Sequence, residues 1–198
     1  MKNRWAPWEA AGLMALCAAL LLGLWAERRQ SALAENIVRL HVIAASDSRA
    51  DQEEKLRVRD EVLAFLTPRL ENAGSTEEAR ALLRDSLGEV AALAEKVSAR
   101  PARAELGTEF YPTREYETFS LPAGPYISLR VTLGEGQGHN WWCVVYPPLC
   151  TAAAEEVRET AALDEDDIRL ITGEDGTYVF KFRIIEWWET ITGRGGEN

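Results

Sequence analysis

Near the start of the chain, Ala10 to Ala26 (AAGLMALCAALLLGLWA) runs for 17 residues without a charge, with Lys2 and Arg4 before it and Glu27, Arg28 and Arg29 after it. As a helix it spans about 26 Å at 1.5 Å per residue, slightly short of the roughly 30 Å hydrocarbon core of a bilayer. The segment therefore fits a signal-peptide apolar region or a short N-terminal membrane anchor, and these two outcomes differ only in cleavage. Ala32-Leu33-Ala34 has the small-x-small pattern of a signal-peptidase site, although it lies several polar residues past the apolar run. The competing reading is a buried helix of a soluble domain.

That segment divides the chain's charge. The 198 residues carry −10, and residues 1–34 hold Lys2, Arg4, Arg28 and Arg29 against Glu9 and Glu27, a net +2, which leaves −12 on the remainder. A body this acidic, without a basic cluster, argues against a nucleic-acid partner. Of three cysteines, Cys17 lies inside the apolar run, so only Cys143 and Cys150 reach the far side of a membrane. No paired CxxC motif exists to hold zinc.

Residues 35–188 have the length and apolar content of one domain, with 189–198 expected to be a flexible tail. Asn36 to Ala45 reads as a strand, punctuated by Ser46-Asp47-Ser48. From Gln52 to Leu66, Val58, Val62, Leu63, Phe65 and Leu66 share one helical arc that also holds Arg59, expected to pair with a nearby acid such as Asp47, the alternative being a partner-binding role. Thr67-Pro68 is expected to end or bend this helix. Ser75-Thr76-Glu77-Glu78 matches a capping box and opens a second amphipathic helix to about Ser98. Strands are expected around 103–111, 116–121, 126–133 and 141–146, a short acidic-capped helix over Asp164 to Thr172 with a hairpin arm over Ile168 to Ile171 before Asp175-Gly176 as the alternative, and a further strand over Tyr178 to Ile185. The order implies an α+β fold: a mainly antiparallel sheet with two amphipathic helices packed on one face, preceded by the membrane-directed helix.

The densest chemistry lies between Tyr111 and Cys150. Gly134, Gly136 and Gly138 resemble a phosphate cradle only superficially, because no Lys-Ser/Thr and no helix follow, so a mobile strand connection with glycines at positive φ is the better reading. His139 and Cys143 stand four apart and would share a face if the strand began early, which leaves a thiol dyad geometrically allowed, with Asn140 alone nearby to orient it. His41, in a predicted strand, reads as a satisfied imidazole. No metal constellation stands out, and no cofactor is expected. Cys143 and Cys150 could form a disulfide outside the cytoplasm, whereas Pro147-Pro148 favours extended backbone between them, so bridge and free thiols both stay open. Trp141 and Trp142 must point to opposite faces of their strand, and one of them is either covered within the domain or offered to a partner.

At these residues the chain resembles the stage II sporulation protein R family. The resemblance rests on Arg39-Leu40-His41-Val42-Ile43-Ala44 with Ser46-Asp47-Ser48, on Lys55-Leu56-Arg57-Val58-Arg59-Asp60, on Tyr111-Pro112-Thr113-Arg114 and on Leu121-Pro122-Ala123-Gly124-Pro125-Tyr126. It is strongest in Gly134-Glu135-Gly136, Asn140-Trp141-Trp142-Cys143-Val144 and Pro147-Pro148-Leu149-Cys150, and Phe180-Lys181-Phe182-Arg183 with Glu186-Trp187 agrees. The resemblance implies a protein made in the forespore and exported into the space between forespore and mother cell. There it would be required to activate the membrane-bound aspartic protease stage II sporulation protein GA, which processes pro-sigma-E. It implies a non-catalytic ligand with neither nucleic acid nor small-molecule substrate. The expected contact surface is Tyr111, Arg114, Gly136, Asn140, Trp141 and Trp142. The alternative is an extracytoplasmic cell-wall-binding module, or a thiol-dependent enzyme using Cys143 and His139.

Overall fold

The computed structural model describes residues 7–116, 119–150, 163 and 165–172. The N-terminal segment is one helix, α1 (Pro7–Glu35), whose apolar stretch lies exposed while its C-terminal end is built into the domain. Leu33 and Ala34 pack with Ile37, Tyr111, Leu121 and Tyr126. Gln30 lies directly over Gly124, where a side chain would block it, and the Arg80 guanidinium donates to the Glu35 carbonyl at 2.8 Å. The packed domain thus reaches back across the boundary expected at 34–35, because the helix end supplies apolar surface that the sheet needs.

Strand β1 (Val38–Ile43) leads to α2 (Arg49–Leu70), where the Ser48 side chain caps the Asp51 N–H. Pro68 sits in the last turn without ending the helix, since only one backbone hydrogen bond is lost there. The single helix expected over 75–98 is two, α3 (Thr76–Asp85) and α4 (Leu87–Ser98), joined at Ser86, whose N–H bonds back to the Leu82 and Leu83 carbonyls. Ser75 caps α3 by accepting from Glu78, as the capping box requires.

The remaining strands are β2 (Ala102–Tyr111), β3 (Arg114–Glu115), β4 (Ser120–Leu121), β5 (Gly124–Leu133) and β6 (Asn140–Tyr146), followed by α5 (Glu165–Thr172). The main sheet has the order β2-β5-β1-β6. Pairings β2–β5 and β1–β6 are antiparallel as expected, but β1 and β5 at the centre run parallel, with Leu40 opposite Leu129 and Val42 opposite Val131, so the α+β sheet is mixed. The strand expected over 116–121 is instead a two-stranded ladder of β3 and β4, closed by the Tyr116 N–H donating to the Phe119 carbonyl at 2.8 Å. Both sheet faces are covered. Leu40, Val42, Leu129, Val131 and Cys143 meet Val58, Val62, Leu66, Val90 and Ala94 from the helices, and the other face packs the end of α1 with Phe119, Val144, Leu163 and Ile171. The strand expected at Tyr178 to Ile185 and the tail 189–198 lie outside the described residues.

Candidate functional site

The site begins at the connection between β5 and β6. Gly134 and Gly136 adopt φ of +55° and +65°, the left-handed conformation that glycine tolerates best. Gly138 approaches Ser46 so closely that an added Cβ would stand 2.3 Å from its carbonyl oxygen. The connection is therefore pinned, contrary to the expected mobile loop: Gln137 and Gly138 donate to the Ala45 and Ala44 carbonyls at 3.2 and 2.9 Å. The Lys55 ammonium, almost wholly buried, reaches from α2 to the His139 carbonyl at 2.9 Å and to Gln52 at 2.6 Å. Burial pushes the Lys55 ammonium below the usual lysine range, against the opposing pull of Asp47. On the outer side the Asp47 carboxylate accepts from the His139 N–H at 2.7 Å and from its ring Nδ1, and these bonds hold its carboxyl below the usual range.

This anchoring fixes the tryptophans that follow. Trp141 faces the helices, where the Arg59 guanidinium stacks 4.3 Å from its ring. Arg59 pairs with Asp60 at 2.6 Å and not with Asp47, because His139 already occupies that carboxylate. Trp142 faces the other side, with the Arg114 guanidinium 4.0 Å from its ring and His41 and Tyr111 against it at 5.6 and 6.3 Å. His41 bridges Glu109, at 3.1 Å, and Asn140 Oδ1, at 2.8 Å, as a satisfied imidazole. Burial alone would raise the Glu109 carboxyl, but hydrogen bonds from His41 and Ser128 and the charges of His41 and Arg130 prevail and hold it at about 2.

An open groove of about 740 Å³ results, lined by Asp47, Arg114, Glu115, Tyr116, Gln137, Gly138, His139, Asn140, Trp141 and Trp142. Of the expected contact residues it collects Arg114, Asn140, Trp141 and Trp142. Gly136 shapes the turn behind it. Tyr111 is a correction: it is buried beneath Trp142, its hydroxyl 2.6 Å from Ser128, and supports the groove from inside. Burial, the leading cause, raises its hydroxyl well above the usual tyrosine range. Sequence reasoning missed Tyr116, Lys55 and Arg39, although the last two stand within the blocks that carry the family resemblance.

Cys143 and Cys150 are joined in a disulfide, with Cα atoms 5.4 Å apart. The chain turns between them, Leu149 N–H folding back to the Pro147 carbonyl at 2.7 Å. In this form Cys143 offers no thiolate to His139, whose ring is held by Asp47. Among the described residues no group of three or more His, Cys, Asp or Glu side chains is placed to hold a metal ion.

The structure is a mixed α+β domain on an apolar N-terminal helix, with an aromatic groove at one end of its sheet. The chain belongs to the stage II sporulation protein R family. The family model of that description matches residues 34–156. Stage II sporulation protein R of Bacillus subtilis (strain 168) is 32% identical over 188 residues, covering 81% of this chain and 84% of the relative. No solved structure matches. The chain accordingly has a role in sporulation, and its apolar helix is a signal peptide or a membrane anchor.

Proposed function

We propose that the chain is the exported signal by which the forespore activates the membrane-bound aspartic protease, stage II sporulation protein GA, that processes pro-sigma-E in the mother cell. It acts as a ligand without catalysis, binding the active conformation of the protease in preference to the inactive one. The observation that carries this reading is the groove itself: Arg114, Asn140, Trp141 and Trp142 remain partly exposed on a frame that His139, Asp47 and Lys55 lock from both sides. A preordered surface of aromatic and arginine side chains loses little entropy on docking.

Tethering by α1 fits the same reading. Leu33 and Ala34 belong to the domain's core, so cleavage after Ala34 would strip buried residues from the fold. Trp141 and Trp142 pair with Val42 and His41, about 10–13 Å along β1 from the end that meets α1. A retained helix would thus hold the domain at the forespore membrane with its groove at the far end of the central strand. The test is reconstitution of the protease with pro-sigma-E in the presence and absence of the full chain. Stimulation supports the assignment, and its absence at saturating chain refutes it. The thiol-dependent alternative predicts that Cys143→Ala abolishes activity, and the wall-binding alternative predicts retention on peptidoglycan in place of stimulation.

A further inference from the structure

The fold takes six described arginines outside α1 wholly or partly out of water, and it neutralises four of them. Arg59 pairs with Asp60, Arg80 with Glu77, Arg100 with Asp51 and Glu54, and Arg130 with Glu105 and Glu109. Two of these buried or half-buried arginines have no carboxylate among the described residues: Arg114 lines the groove, and Arg39 lies behind it, bonded to the lining Tyr116. Arg39, on β1, is 0% exposed. Its guanidinium lies 3.9 Å from the Tyr111 ring and 5.1 Å from the Tyr126 ring, it donates to the Tyr116 hydroxyl at 2.6 Å, and its Nε and Nη1 have no acceptor among the described residues. Aromatic faces offset only part of the cost of such a cation, and an uncompensated buried charge is strongly unfavourable. Arg114 stacks on Trp142 and also keeps a buried Nε without an acceptor among the described residues. Burial, and then the charge of Arg39, hold Arg114 below the usual arginine range, so the two guanidinium groups repel across Tyr116.

Among the described residues no acceptor with negative charge meets this pair, and such a group would complete the site. The lining acids do not supply it: Asp47 is engaged by His139, and Glu115 stands exposed at the rim. Glu115 and the net −12 of the body also disfavour a polyanionic surface or an acidic tract. A single carboxylate in an otherwise neutral segment meets the planar fork of an arginine at little repulsive cost. We propose that the groove reads one Asp or Glu side chain of a protein partner, its carboxylate bound by Arg114 with Arg39 and the Tyr116 hydroxyl behind. This rests on the docking reading above and names the chemistry that docks.

The test uses the full chain, immobilised in detergent micelles and exposed to a random heptapeptide pool, with bound peptides sequenced. Wild-type chain is expected to enrich Asp or Glu at one position at least tenfold. Arg114→Gln is expected to abolish that enrichment without lowering Tm, Arg114→Lys to retain part of it, and the exposed Arg49→Gln to leave it intact. Absence of acid enrichment, or enrichment that survives Arg114→Gln, overturns the proposal. So does Arg114-dependent binding of phosphatidylglycerol vesicles without acid enrichment, which would assign the groove to a lipid headgroup. Protease stimulation separates the two readings. Stimulation without acid enrichment removes the carboxylate site and leaves the signal, and enrichment without stimulation does the reverse.

Discussion

Two leucines of α1 differ in one respect: Leu33 is 0% exposed and Leu20 is 60% exposed. Replacing each by alanine, a better helix former than leucine, leaves local helix stability unharmed, so any loss must come from packing. At Leu33 the substitution opens a cavity among Ile37, Tyr111, Leu121 and Tyr126, a change that costs about 2–5 kcal/mol in well-packed cores. With a urea dependence of about 2 kcal/mol/M for a domain of this size, the unfolding midpoint falls by about 1–2.5 M. Leu20→Ala, within the apolar stretch, is expected to leave the midpoint in place. The assay is urea unfolding of the full chain in detergent micelles, followed by tryptophan fluorescence, with the slope checked for constancy. Equal midpoints for Leu33→Ala and wild type, within about 0.3 M, would refute the claim that the end of α1 is part of the domain's core and remove the argument for a retained anchor.

Three further predictions concern the frame. Lys55→Met deprives the His139 carbonyl and Gln52 of a buried donor, at a cost of about 1–3 kcal/mol, and amide exchange at Gly138 and His139 should accelerate more than at Leu129 in the sheet centre. The Glu109 carboxyl, held at about 2 in the fold, contributes stability that is complete above its ordinary pKa near 4.5 and is lost as pH falls toward about 2. Melting temperature should therefore fall more steeply over that window in wild type than in Glu109→Gln; parallel curves would count against the His41–Glu109 coupling. Mass spectrometry of the protein recovered from the extracytoplasmic side should show a gain of about two hydrogens on reduction, the mark of the Cys143–Cys150 bridge, and an unchanged mass would contradict it.

Much of this architecture was legible from local signals. Ser48, Ser75, the apolar arc of Val58, Val62 and Leu66 and the alternation of Ile127 to Leu133 each carry short-range physics, and the structure follows them. Strand direction does not, because period-two alternation is the same for parallel and antiparallel neighbours; Leu40 and Leu129 are too far apart in sequence for any turn to specify their pairing. The break at Ser86 had a weak local signal, Ser86 with Gly88 two residues on, which the continuous apolar spacing of Leu83, Leu87 and Val90 outweighed. At the site, the opposed faces of Trp141 and Trp142 followed from strand geometry alone, whereas nothing local to β1 marks Arg39 as buried. Its burial depends on Tyr111 and Tyr126 arriving from β2 and β5, a tertiary event outside any local window. Asp47 was assigned to Arg59 for a similar reason: the backbone of His139, brought in by the glycine turn, claims it first.

The most direct measurement is the rate of pro-sigma-E cleavage by the membrane-bound protease with full chain added at increasing concentration. A saturable rise is expected with wild type, and a loss of that rise with Trp142→Ala when the variant's melting temperature shows an intact domain. A cleavage rate that does not respond to the wild-type chain at any concentration would contradict the signalling role.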